Sequence, residues 1–148
     1  MNAGAILAIV LAAALPAVAA AAAADEEEPH PYYSFVPGRF AVIGQLPDGG
    51  AAYQGQARIA HVEGRLQLLK EIGGESVTAE GTVERADPGE ADVIRFRGKD
   101  FEQTCLVRLD LDNYARLSCL WTAKGTQPRQ PGLEAYFSME TWPGAEAP

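Results

Sequence analysis

Apolar and polar side chains alternate along most of this chain with the two-residue period of a β-strand. The clearest example is residues 77–84, where two valines, an alanine and a glycine alternate with two threonines and two glutamates. Such a segment buries one face and exposes the other. Similar segments, separated by Gly, Pro and Asp, follow one another from Gly38 onward. Eight strands are predicted, near 38–46, 51–62, 65–72, 76–85, 91–98, 103–110, 114–123 and 132–142.

Turn sequences fix the register of two hairpins. Residues 87–90 (DPGE) suit a type I or II turn, and Glu63-Gly64 suits a two-residue hairpin loop. Both alignments bring apolar residues together inside, and the first also brings opposite charges together outside. The predicted inner pairs are Val83–Ile94, Gly81–Phe96, Ile59–Leu68 and His61–Leu66; the predicted outer pairs are Thr82–Arg95, Glu80–Arg97 and Gln56–Glu71.

The two cysteines fall opposite each other in a third hairpin. A three-residue loop at 111–113 sets Leu109 opposite Ala115, Val107 opposite Leu117 and Cys105 opposite Cys119. Directly opposed strand residues are close enough for a disulfide. A bridge closing a loop of this size contributes about 3 kcal/mol in the chain-entropy model. The sequence therefore predicts a Cys105–Cys119 disulfide.

Eight consecutive strands with short connections and one apolar face predict an all-β fold. The strands can curl into a single antiparallel up-and-down meander that closes, or nearly closes, as a barrel. The alternative is a β-sandwich. The short loops favour the barrel, and the longer loop 125–131 could cover one of its ends.

The N-terminal segment has the pattern of an export signal. Residues 5–24 carry no charged side chain, Pro16 interrupts the apolar run, and an Ala-rich stretch offers A-x-A cleavage sites. No Lys or Arg precedes the run, so an uncleaved membrane anchor is the rival interpretation. The first cysteine is Cys105, too far along the chain to carry a lipid anchor at the cleavage site. The domains are predicted as a helical signal peptide over 1–24, an extended acidic and aromatic leader over 25–37, and a barrel over 38–148.

Charge and cysteine content limit the cellular compartments and the classes of partner that fit this chain. An exported protein with a disulfide is periplasmic or secreted, and after cleavage no stable membrane insertion is expected. Acidic residues outnumber basic ones by 20 to 12, so the net charge is −8. This balance lacks the basic footprint of nucleic-acid binding and favours a cationic partner.

Large side chains on the predicted inner face are the candidates for lining a ligand site. Small residues beside them could leave a cavity, or could simply make room for packing. His61 and Lys70 could orient a ligand head group, although such residues more often lie at a barrel rim. The candidates are Tyr53, His61, Lys70, Phe96, Trp121, Phe137 and Met139.

Motifs for catalysis are missing from the sequence. No nucleophile elbow, phosphate-binding glycine loop, H-E-x-x-H or C-x-x-C is present. Residues 110–113 start like a calcium loop but lack its downstream Gly and Glu, so turn chemistry explains them better. We therefore predict no catalytic residue, no metal and no cofactor.

Two short tripeptides resemble motifs of the lipocalin and avidin-like barrels. Gly38-Arg39-Phe40 is similar to their opening Gly-x-Trp, with Phe in place of Trp, and Asp112-Asn113-Tyr114 resembles the lipocalin turn motif with its Asp-Tyr pair. The resemblance implies an eight-stranded barrel and no particular ligand. Small periplasmic lysozyme inhibitors also use disulfide-linked eight-stranded barrels.

Three functions remain open. The leading hypothesis is an exported, soluble binding protein of the cell envelope that takes a small apolar or amphipathic ligand in the barrel, or a protein at its loops. The first alternative is an inhibitor of a cationic envelope-active enzyme such as lysozyme. The second is an enzyme with a site assembled from scattered carboxylates and His61.

Overall fold

The computed structural model describes residues 28–86, 91–108 and 115–141, which form a closed antiparallel barrel. Every strand pairs with the next one along the chain, and the last pairs with the first. The predicted all-β up-and-down barrel is therefore confirmed. The strands are β1 (Gly38–Gln45), β2 (Ala52–Val62), β3 (Arg65–Ile72), β4 (Glu75–Arg85), β5 (Asp92–Gly98), β6 (Phe101–Arg108), β7 (Arg116–Ala123) and β8 (Gly132–Ser138).

The predicted registers of three hairpins agree with the observed pairing. All the inner and outer pairs of β2–β3 and β4–β5 are present. In the β6–β7 hairpin Val107 lies opposite Leu117, and Cys105 lies opposite Cys119 and is bonded to it. Glu63 and Gly64 have φ values of 50° and 77°, as a tight two-residue hairpin loop requires. The turn 87–90, the loop 111–113 and the pairing of residue 109 lie outside the described residues.

The inward face of β8 differs from the prediction. Its buried positions are Gly132, Glu134 and Tyr136, and the last two lie opposite the buried residues Cys119 and Leu117 of β7. The expectation that Phe137 faces the interior was wrong. Aliphatic or aromatic residues occur on both faces of this strand, so its apolar pattern did not mark the inner face, and the inner face carries a carboxylate.

Met139 was also placed on the inner face by the sequence, and this too was wrong. It begins a short 3-10 helix, Met139–Thr141, that follows β8 and packs against β1. It lines a shallow concavity on the outside of the barrel, together with Arg39 and Arg58. The last strand therefore ends at Ser138, four residues earlier than predicted.

The leader is not extended throughout. Residues Tyr32–Phe35 form a short helix, α1, and the following Val36 is fully buried. The hydroxyl of Tyr33 accepts a hydrogen bond from the Val83 backbone N–H at 3.2 Å. His30 Nε2 lies 3.1 Å from a carboxylate oxygen of Asp92. These contacts hold the leader across the end of the barrel where β1 begins.

Side chains fill the middle of the barrel. The fully buried ones include Phe40, Ile59, Leu66 and Ile94. The inward glycines make room for rings, since a Cβ on Gly81 would lie 2.5 Å from the Phe96 ring. Of the two interpretations of the small inward residues, packing is the one the geometry supports. Within the described part of the chain, no helix is long and apolar enough to span a bilayer.

Candidate functional site

A cluster of polar side chains occupies the barrel interior toward the end where β1 finishes. Its members come from four strands, each from a position whose side chain points inward. Lys70, Gln103 and Glu134 are buried although all three are polar or charged. The polar cluster consists of Tyr53 on β2, Lys70 on β3, Gln103 on β6, and Glu134 and Tyr136 on β8.

An ion pair between Lys70 and Glu134 forms the centre of the polar cluster. The Lys70 ammonium donates to both carboxylate oxygens of Glu134, at 2.8 and 3.0 Å. The two side chains are only 6% and 0% exposed. Removing two charges from water is expensive, and the attraction offsets that cost only with good geometry and further hydrogen bonds. The ring of Phe101, centred 4.7 Å from the Lys70 nitrogen, adds a cation–π contact.

Neutral side chains supply the further hydrogen bonds. Gln103 donates from Nε2 to Glu134 at 2.9 Å, and its Oε1 accepts from Lys70 at 3.4 Å. The Tyr136 hydroxyl donates to Glu134 at 2.8 Å. Burial and the negative charge of Glu134 raise the pKa of the Tyr136 hydroxyl well above its ordinary value. Tyr136 therefore remains a neutral donor at any pH near neutrality.

Two aromatic side chains lie next to each other here: Tyr53, which belongs to the polar cluster, and Trp121 beside it. Tyr53 donates to Glu134 Oε1 at 2.5 Å, and burial and this hydrogen bond raise the pKa of the Tyr53 hydroxyl. The Trp121 ring lies over Gly132. Its Nε1–H lies near Tyr53 and acts to lower the pKa of the Tyr53 hydroxyl, against the larger effects of burial and Glu134. The contact does not have the geometry of a hydrogen bond, and this buried N–H has no acceptor among the described residues.

The hydrogen bonds of the polar cluster are used up internally. The three donors of the Lys70 ammonium match three accepting oxygens, two on Glu134 and one on Gln103. A ligand would have to displace one of these bonds before it could gain one. These hydrogen bonds link β3, β6 and β8 across the interior, so the role of the polar cluster is to stabilise the barrel.

The predicted ligand-lining residues are dispersed by the fold. Tyr53, Lys70 and Trp121 come together at or beside the polar cluster. Lys70 was expected at the rim and is instead buried, because Glu134 provides a counter-charge inside. His61 is exposed at the opposite end, where its ring lies 5.2 Å from that of Tyr33. Phe96 is fully buried in the core against Gly81.

Sequence reasoning missed three members of the polar cluster: Gln103, Glu134 and Tyr136. Glu134 and Tyr136 were missed because β8 was given the wrong inner face. Aligning β8 with the predicted β7 would have indicated the correct inward face. In that alignment Gly132 lies opposite Trp121, just as Gly81 lies under the ring of Phe96. Gln103 shares the inner face of β6 with Cys105 and could have been assigned from that alternation.

The outer surface holds a second candidate site, made of aliphatic side chains. Ile43 on β1, Leu106 on β6, Leu120 on β7 and Leu133 on β8 are 53%, 43%, 51% and 50% exposed. These four strands are neighbours in the closed barrel. With Ala135 they form what we call the aliphatic wall. Four of the eight large exposed apolar side chains in the described residues therefore lie on one side of the molecule.

Strand pairing makes the aliphatic wall continuous. Leu120 lies directly opposite Leu133, and Ile43 lies directly opposite Ala135. Leu106 is opposite Ser118, whose other partner is Ala135. The surface encloses a shallow groove of about 530 Å³. Among the described residues, Glu134 is the one charged residue that lines this groove, and its side chain points inward, so the groove is an apolar surface.

The fold and these surfaces define an eight-stranded antiparallel up-and-down barrel with a single disulfide. No model of a known protein family matches the chain, and no curated protein matches its sequence.

Proposed function

We propose that the protein is an exported, soluble binding protein of the cell envelope that binds a cationic protein partner on the aliphatic wall. The observation that carries this proposal is the wall itself, four half-exposed aliphatic side chains on four neighbouring strands. Contiguous exposed apolar surface on a soluble domain is the usual mark of an interaction site. Nothing in the packing of the barrel requires it.

The net charge supports a cationic partner. The chain carries −8, and an acidic surface attracts positively charged proteins and speeds their association. The aliphatic wall has few charges of its own, so it suits the desolvated centre of an interface. Inhibition of a cationic envelope-active enzyme, such as a lysozyme, is one form that such binding would take.

The apolar N-terminal segment and the Cys105–Cys119 disulfide support export, since disulfides persist in oxidising compartments. A small apolar ligand inside the barrel receives less support. The core residues fill the middle of the barrel, and all three N–H donors of the Lys70 ammonium are already hydrogen-bonded within the polar cluster.

Site-specific photo-crosslinking in the native host tests the proposal. A benzophenone amino acid is placed at Ser118, an exposed position inside the aliphatic wall, and at Gln67, an exposed position on β3 as the matched control. We expect a discrete adduct with a basic protein from position 118 alone. Adding Leu133→Lys to the Ser118 probe should abolish the adduct, because it places a positive charge in the apolar surface that meets the cationic partner. Adducts of equal yield from both positions, or none from position 118, would contradict the proposal.

A further inference from the structure

Two arginines face each other on the outside of the barrel. Arg39 of β1 and Arg58 of β2 are directly opposed partners, and both side chains are exposed. The Cβ atoms of directly opposed residues lie about 4.5–5.5 Å apart, and like charges at such positions destabilise a sheet. The pair therefore costs stability unless an anion offsets the repulsion.

No carboxylate among the described residues forms an ion pair with either arginine, although Glu71 lies at the border of the same concavity. Neither Arg39 nor Arg58 has a hydrogen bond or ion pair among those residues, whereas other arginines on the barrel wall do. For example, Arg65 pairs with Glu80, Arg85 with Asp92, and both Arg95 and Arg97 with Glu84. Acidic residues outnumber basic ones by 20 to 12, yet no carboxylate among the described residues forms an ion pair with Arg39 or Arg58.

The space beside the two arginines has the size of a small anion site. Arg39 and Arg58 line a concavity of about 110 Å³, which corresponds to roughly four water molecules. The amide of Gln56 can add a neutral donor, and Leu69 gives an apolar side. Glu71 also borders the concavity, so an entering anion meets two positive charges and one negative charge.

We propose that Arg39 and Arg58 form an oxyanion-binding site that takes a phosphate group. The guanidinium group presents planar pairs of N–H donors that match phosphate geometry, and two of them can bind one phosphate from both sides. Binding removes the repulsion between the arginines, so the anion also stabilises the barrel. This site is independent of the aliphatic wall, since it rests on different residues.

Titration of the purified protein with inorganic phosphate, against sodium chloride of equal ionic strength, tests the proposal. We expect saturable shifts of the Arg39 and Arg58 guanidinium NMR signals and a rise in Tm with phosphate alone. Arg39→Gln and Arg58→Gln should each weaken phosphate binding by about tenfold or more, because each removes a charged hydrogen-bond donor. Arg65→Gln, which removes an exposed arginine already paired with Glu80, should leave the affinity unchanged.

Vesicles distinguish the source of the phosphate. Co-sedimentation with phosphatidylglycerol vesicles that is lost in Arg58→Gln would assign a lipid headgroup, whereas phosphate binding without vesicle binding would assign a soluble phosphate ester. Either result supports the site. Signals of Arg39 and Arg58 that respond equally to chloride and phosphate would overturn the proposal, as would an Arg58→Gln protein with undiminished phosphate affinity.

Discussion

The Lys70 ammonium and the Glu134 carboxylate meet inside the barrel from strands that are not neighbours in the sheet. Lys70 lies on β3 and Glu134 on β8, with β1 and β2 between them. Their two hydrogen bonds, at 2.8 and 3.0 Å, therefore cross the interior rather than run along the wall. The pair forms because the closed barrel brings β3 and β8 to face each other and Glu134 points inward from β8.

Removing one partner of this pair should be costly. Lys70→Met leaves a buried, uncompensated carboxylate, and breaking a buried ion pair in this way costs about 3–5 kcal/mol. We expect a loss of this size in the free energy of unfolding, measured by urea denaturation. Adding Glu134→Gln to Lys70→Met should recover a large part of the loss, because no buried charge remains.

The exposed pair Arg65–Glu80 is the matched control for this prediction. Its side chains are 60% and 64% exposed, and water screens such pairs, so Arg65→Gln should change stability little. If the Lys70→Met protein is as stable as the Arg65→Gln protein, Lys70 and Glu134 do not form a buried ion pair that stabilises the barrel.

Much of the barrel could be predicted from the sequence because local rules agree with one another there. The turn sequence 87–90, the Glu63-Gly64 loop and the loop sequence 111–113 each predicted the observed register. The polar cluster could not be predicted in the same way. Its partners are far apart in sequence, and a buried Glu134 is recognisable as stable only once Lys70 is known to lie opposite it across the barrel.

The buried tyrosine gives a prediction for alkaline pH. Burial and Glu134 raise the pKa of Tyr136 in the folded state, whereas in the unfolded chain it is about 10. The contribution of this group to stability is therefore complete below pH 10 and is lost as the pH rises above it. Tyr136→Phe removes this dependence. The stability difference between wild type and Tyr136→Phe, measured in urea, should shrink as the pH rises above about 10.

Ultraviolet absorbance of tyrosinate offers an independent check on the same group. Wild-type protein has five tyrosines, and at least Tyr53 and Tyr136 should ionise only when the barrel unfolds. If all five ionise together near pH 10 while the circular dichroism remains native, the assignment of Tyr136 as a buried neutral donor is incorrect.

The disulfide should stabilise the folded protein mainly by restricting the conformations of the unfolded chain. Cys105 and Cys119 are separated by 14 residues, and closing a loop of about this size is worth about 3 kcal/mol. The double variant Cys105→Ala, Cys119→Ala should lose at least this much, because both side chains are also buried in the core. Urea denaturation with and without a reductant measures the effect: reductant should destabilise wild type and leave the double variant unchanged. A loss well below this value would indicate residual structure in the unfolded chain.

Two glycines of one strand provide the sharpest test of how the rings are accommodated. A Cβ on Gly44 would clash with the Tyr53 ring, which would have to move and give up its hydrogen bond to Glu134. On Gly38, also in β1, the nearest atoms would lie 3.8 Å away, an ordinary contact. Overpacking of this kind costs about 1–3 kcal/mol. Gly44→Ala should therefore lower the free energy of unfolding by about that amount, and Gly38→Ala should not. Equal stabilities of the two variants, measured by urea denaturation, would show that Tyr53 can leave the polar cluster without cost, and the cluster would then not extend to β2.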